Sequence, residues 1–137
     1  MGVKKAIVEI LAANASLVAL VGKRLQPREN PQNADFPRIT FHRLSTEYQY
    51  LCQGQGQCRT VVETFEIAAL SRSDLDAENV ADEIIDSLPR NGTYGSISLD
   101  RVDVVNRSDV TEFPVYENHL PVPADVLTVE FQYEEDC

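Results

Sequence analysis

Apolar residues at Val3, Ile7, Ile10 and Leu11, with Ala6, Ala12 and Ala13 between them, repeat at helical spacing and predict an amphipathic helix over residues 2–14. Asn14 is the expected stop. Ser16 reads as the cap of a short apolar turn, Leu17 to Val21, that Gly22 ends. The period then changes to two. Pro37 opens a strand in which Ile39, Phe41 and Arg43 share one face and Arg38, Thr40, His42 and Leu44 the other. A second strand runs from Thr60 to Leu70, with Val61, Phe65, Ile67 and Ala69 on one side and Val62, Thr64, Glu66 and Ala68 on the other. Glu63 falls on the apolar side near the strand's start, where it is expected to stay in water. Ser73 is the predicted N-cap of a second helix, with Asp76 three residues on, and Asp74 and Asp76 suit the positive end of its dipole. Leu75, Ala77, Val80, Ala81, Ile84, Ile85 and Leu88 form its apolar stripe; Pro89 and Gly92 end it. A third strand spans Ser96 to Asn106, and a slip in its alternation predicts a bulge near Asp100 and Arg101. The last strand, Val126 to Tyr133, alternates cleanly, Leu127, Val129, Phe131 and Tyr133 facing inward.

The order helix, strand, strand, helix, strand, strand predicts one α+β domain over residues 1–137. Its expected sheet is mostly antiparallel and four-stranded, with two main helices packed on one face. Residues 23–36, with Pro27 and Pro31, read as an extended loop. Residues 46–59 and 107–124 read as two further long loops, one Gly-rich and one broken by Pro114, Pro121 and Pro123. Loops beyond about 12–15 residues are usually functional or disordered. These two are therefore expected to dock partners through apolar anchors, Tyr48, Tyr50 and Leu51 in the first and Phe113, Val115, Tyr116 and Leu120 in the second. The alternative is that those side chains fold back on their own domain.

The chain has 137 residues, 43% of them hydrophobic, which suffices for one core. A net charge of −10 opposes a general nucleic-acid binder and attachment to anionic membranes. No run of about 18 apolar residues offers a membrane span. The start, Met1 to Ala13, resembles a secretory leader only superficially, because Glu9 interrupts it; the chain reads as made in the cytoplasm. Charge is unevenly spread. Residues 1–59 hold eight Lys/Arg and four Asp/Glu, and residues 60–137 hold four and 18. Such a domain can attract copies of itself head to tail. Lys23, Arg24 and Arg28 are the basic candidates for that contact, and Asp82, Glu83 and Asp86 on the second helix the acidic ones. The competing reading is a plain solvated surface.

Catalytic patterns are missing. The two histidines, His42 and His119, lie far apart, and there is no HExxH, no GxSxG and no phosphate-loop lysine motif. Neither an enzyme nor a bound cofactor or metal is expected. Cys52 and Cys58 are separated by five residues, a spacing that is not by itself a zinc motif, and His42 is the only nearby further ligand. A disulfide between them and two free thiols both fit the sequence.

Ala19-Leu20-Val21-Gly22-Lys23-Arg24, then Pro27, Pro31-Gln32 and Phe36-Pro37-Arg38-Ile39-Thr40-Phe41, resemble the opening of phage tail completion proteins. Phe65-Glu66-Ile67-Ala68-Ala69, followed by Ser73, Ala77-Glu78, Ala81-Asp82 and Leu88, is similar to that family's strand-then-helix unit. The order and spacing of several short patterns across residues 3–133 carry the resemblance. It implies a fold like that of the tail terminators of long non-contractile tails, with no catalytic residues. It also implies a hexameric ring in the virion, at the head-proximal end of the tail tube. Such a ring stops tube growth, meets tail tube protein on one side and the neck proteins of the head on the other, and lets DNA pass without binding it. Its lumen is then expected to be acidic or neutral. A head-side connector or adaptor ring docking on portal is the nearest alternative; a ligand-binding or enzymatic module, which would need a deep pocket, is a more distant one.

Overall fold

The computed structural model describes residues 2–22, 25–27, 37–50, 59–95, 97–112 and 122–135. Among these residues three helices form where the apolar period is helical: α1 (Val3–Ala12), α2 (Ala15–Val21) and α3 (Asp74–Ser87). Asn14, not Ser16, caps α2. Its Oδ1 accepts from the backbone N–H groups of Ser16 and Leu17, while its Nδ2 donates to Ser87 Oγ at 2.7 Å and to Glu83 on α3. One amide thus starts α2 and ties it to α3. Asn14→Ala is expected to cost about 1–2 kcal/mol, the upper range for a lost cap, read as a lower urea midpoint. A cost no greater than that of Ser16→Ala would show that the tie carries nothing. Gly22 ends α2 at φ 58°, a left-handed conformation that favours glycine. Ser73 caps α3 as the sequence predicts, its Oγ accepting from Asp76 N–H.

Six strands make one sheet among the described residues: β1 (Leu25–Pro27), β2 (Arg38–Tyr50), β3 (Arg59–Leu70), β4 (Gly92–Tyr94), β5 (Ile97–Glu112) and β6 (Val122–Glu135). Their spatial order is β1-β2-β3-β6-β5-β4. All neighbours pair antiparallel except β1, which lies parallel to β2. The α+β class stands, but the sheet has six strands rather than four, and three helices accompany it rather than two. Parts of both expected long loops are strand. Residues 46–50 belong to β2, and residues 107–112 and 122–124 belong to β5 and β6. The expected slip near Asp100 is present as a register shift between Leu99 and Arg101; a second lies between Val104 and Asn106, and one in β2 between Arg43 and Ser45.

One sheet face packs on the helices. Ile39, Phe41, Phe65, Ile67, Leu127, Val129 and Phe131 form the core with Val3, Ile7, Leu11, Leu17, Val80 and Ile84. Phe65 and Phe131 meet edge to face, centroids 5.7 Å apart at 89°. Leu75 leaves its predicted stripe: it is 73% exposed, because it lies in the first turn of α3 beyond the edge of the core.

Candidate interaction surfaces

The sheet face turned away from the helices is acidic. The registers place Glu47, Glu66, Asp103, Glu130 and Glu134 there, against Arg38, His42 and Arg101. Asp103 and Glu130 stand directly opposite each other across β5 and β6, a like-charge pairing that weakens a sheet. Arg101 Nε lies 2.7 Å from Asp103 Oδ2, and His42 Nδ1 lies 3.8 Å from Glu66 Oε1. These contacts neutralise only part of the charge. At the end of the same face, Ala68, Leu70, Ala124 and Val126 form a small buried cluster.

The helix-covered face holds two buried ionic groups. Glu63 is 4% exposed, so it is not in water as expected. Its Oε2 accepts from Tyr133 Oη at 2.7 Å, and Arg43 Nε lies 2.6 Å from Oε1 but off the hydrogen-bonding direction, making an ion pair without an aligned hydrogen bond. The Arg43 guanidinium also covers the Phe65 ring. Burial, then the hydrogen bond to Glu63, pushes the Tyr133 phenol well above its ordinary value. The protonated phenol is therefore favoured in the folded state. Its contribution is present below the unfolded value of about 10 and is lost as pH rises beyond it. The urea midpoint is expected to fall between pH 9 and 11 more steeply for the native chain than for Tyr133→Phe; equal slopes would contradict this.

Asp125 is the second buried group, 2% exposed. Arg107 donates to its Oδ2 through Nε at 2.9 Å and Nη2 at 2.6 Å, and through Nη1 to Asp82 on α3 at 2.8 Å. The hydrogen bond to Asp125, then that to Asp82, raises the Arg107 guanidinium above its already high value, so the charge is fixed. Asp125 Oδ1 is buried without a partner among the described residues. This cluster fastens α3 to β5 and β6.

The acidic interface candidates are thus unequal. Asp82 holds Arg107, Glu83 accepts from Asn14, and Asp86 is exposed. Lys23, Arg24 and Arg28 lie outside the described residues, as do Leu51, Cys52, Cys58, Phe113, Val115, Tyr116 and Leu120. Tyr48 stands on β2 rather than in a loop, half exposed, with the Arg59 guanidinium 4.6 Å from its ring; Tyr50 ends the same strand. Sequence reasoning missed Arg43, Arg107, Asp125 and Tyr133 as ionic partners, and only the odd placement of Glu63 on an apolar face signalled any of them. Among the described residues no three His, Cys, Asp or Glu side chains gather to hold a metal, and no helix is long and apolar enough to cross a membrane.

No protein-family model matches the sequence, and no curated protein matches it. Among solved structures, a chain of the native gene transfer agent virion superposes with a TM-score of 0.72 at 16% identity, over 94% of this chain and 92% of that one. Bacteriophage SPP1 gp17 protein aligns with a TM-score of 0.49 at 12% identity, over 98% and 90%. Over almost its whole length, the chain shares the fold of a component of the gene transfer agent virion.

Proposed function

We propose that the chain is a structural protein of a phage-type virion that forms a ring, of six copies by the resemblance, on the head-proximal end of the tail tube. One surface of the ring copies the stacking contacts of the tube. The other lacks what recruits the next tube subunit, so growth stops there and the neck of the head can join. The near full-length fold match to a gene transfer agent virion chain is the observation that carries this reading. The tail-completion patterns around Leu20-Val21-Gly22 and Phe36-Pro37 support it independently of the fold. The acidic helix-free face fits the lining of a passage for DNA, since phosphate is repelled by carboxylates and held by lysines. Glu66→Lys with Glu130→Lys is expected to leave rings and joined tails intact but to slow DNA release, measured as dye-accessible DNA after triggering. Unchanged release would remove the helix-free face from the lumen.

Lys23, Arg24 and Arg28 against Asp82, Glu83 and Asp86 remain the proposed charged contacts between copies, with Asp86 and the half-exposed Asp82 the most accessible of the acids. Ring stability then falls with salt, as the Debye length shrinks to about 3 Å at 1 M. Equal sedimentation in low and high salt would contradict a charge-set register. The proposed function is tested by adding the protein to polymerising tube subunits of its own phage. Short tubes with one end occupied are expected; binding to portal rings instead would select the head-side adaptor.

A further inference from the structure

The two edges of the sheet are each half covered, and at opposite ends. On the β2 side, β1 covers Ile39–Phe41 and leaves residues 42–50 without a neighbouring strand among the described residues. On the β5 side, β4 covers Ile97–Leu99, Arg90 O accepts from the Val102 backbone N–H at 2.9 Å, and residues 103–112 have no neighbouring strand among the described residues. The registers convert these spans into rows across the sheet. Tyr48, Val61, Tyr133, Leu99 and Gly92 share one row, so β4 sits level with the open end of β2. Pro27, Phe41, Ile67, Leu127 and Arg107 share another, so β1 sits level with the open part of β5. Strand directions agree as well: β1 and β4 both run parallel to β2 and opposite to β5.

We propose that copies of the chain join edge to edge, β4 of one copy lying against residues 48–50 of β2 in the next, and β1 of that next copy lying against residues 107–109 of β5 in the first. The two short strands then form one interrupted strand between β2 and β5. The second copy fits because the covered part of each edge matches the open part of the other without any slide along the strands. Such a head-to-tail contact generates a ring when the rotation from copy to copy closes. The interruption is filled in kind. The register shifts beside Leu44 and Val105 fall in neighbouring rows, and Leu44, Val104 and Val105 are exposed apolar side chains at that level. Pairing brings them together across the gap. Long open edges are otherwise a liability, and pairing with a copy shortens them.

This inference rests on the reading that copies assemble into a ring, and cross-linking separates the two. Gln49 and Thr93 are exposed, each is next in its strand to a member of the Tyr48–Gly92 row, and they share the helix-free face. Within one chain they stand four strand spacings apart, about 19 Å. Between paired copies they become neighbours at about 5 Å. The full chain carrying Gln49→Cys and Thr93→Cys, with its three native cysteines changed to serine, is treated with a bis-maleimide spanning about 8 Å. A ladder of covalent multimers on a denaturing gel is expected. Each single variant, and Gln49→Cys paired with Asp86→Cys on α3, is expected to give none. Assembly by sedimentation without a ladder overturns the edge contact and leaves the ring reading standing. A ladder in the control pair also overturns the edge contact, and a chain that stays monomeric at every concentration overturns both.

Discussion

Phe65→Ala is expected to lower the unfolding free energy by about 3–5 kcal/mol, a large share of what a domain of this size has to lose. Phe65 is fully buried at the centre of the sheet, edge-on to Phe131 and beneath the Arg43 guanidinium. Alanine there leaves a cavity, removes the aromatic pair and takes away the surface on which Arg43 lies beside Glu63. Phe65→Leu keeps most of the volume and is expected to cost less than half as much. Urea unfolding of the two variants measures both. A Phe65→Ala loss below about 1 kcal/mol would mean that the core closes around the gap, contrary to the packing described.

Removing the Arg107 side chain is expected to be the most damaging change outside the core. Arg107→Met leaves the Asp125 carboxylate buried, with Oδ2 stripped of both donors and Oδ1 already without one. Breaking a buried pair from one side typically costs about 3–5 kcal/mol. Arg107 is one-third exposed, so water screens part of the interaction and about 3 kcal/mol is the expected loss. The double change Arg107→Met with Asp125→Leu is expected to recover much of it, because no unpaired charge remains. Additive losses in the double variant would show that Arg107 acts through packing on α3 rather than through Asp125.

The central elements were legible because their periods are strong and local. β3 and β6 alternate over a buried face, and α3 announces its start through Ser73 and Asp76. The missed strands fail for identifiable reasons. β1 and β4 have three residues each, too few to display a period. None of Ser45 to Gln49, Arg107 or Ser108 is fully buried, so these ends of β2 and β5 show no alternation and read as loop. Asn14 did carry a cap signal, but a residue that ends one helix and starts the next reads first as a stop. Ionic partners were illegible altogether. Arg43 and Glu63 lie on different strands, Tyr133 is 70 residues from Glu63, and Arg107 reaches α3 across 25 residues. Only the sheet registers bring them together. The acidic face was half legible: the surplus of Asp and Glu in the second half is plain in the sequence, whereas the face they share depends on which strands pair.

Electron microscopy of virions produced with and without this protein tests the central claim most directly. The account predicts that particles made without it carry full heads and separate tails, the tails irregular in length and lacking a finished head-proximal end, and that supplying the protein restores joined tails of uniform length. Uniform, joined tails in its absence would contradict the account.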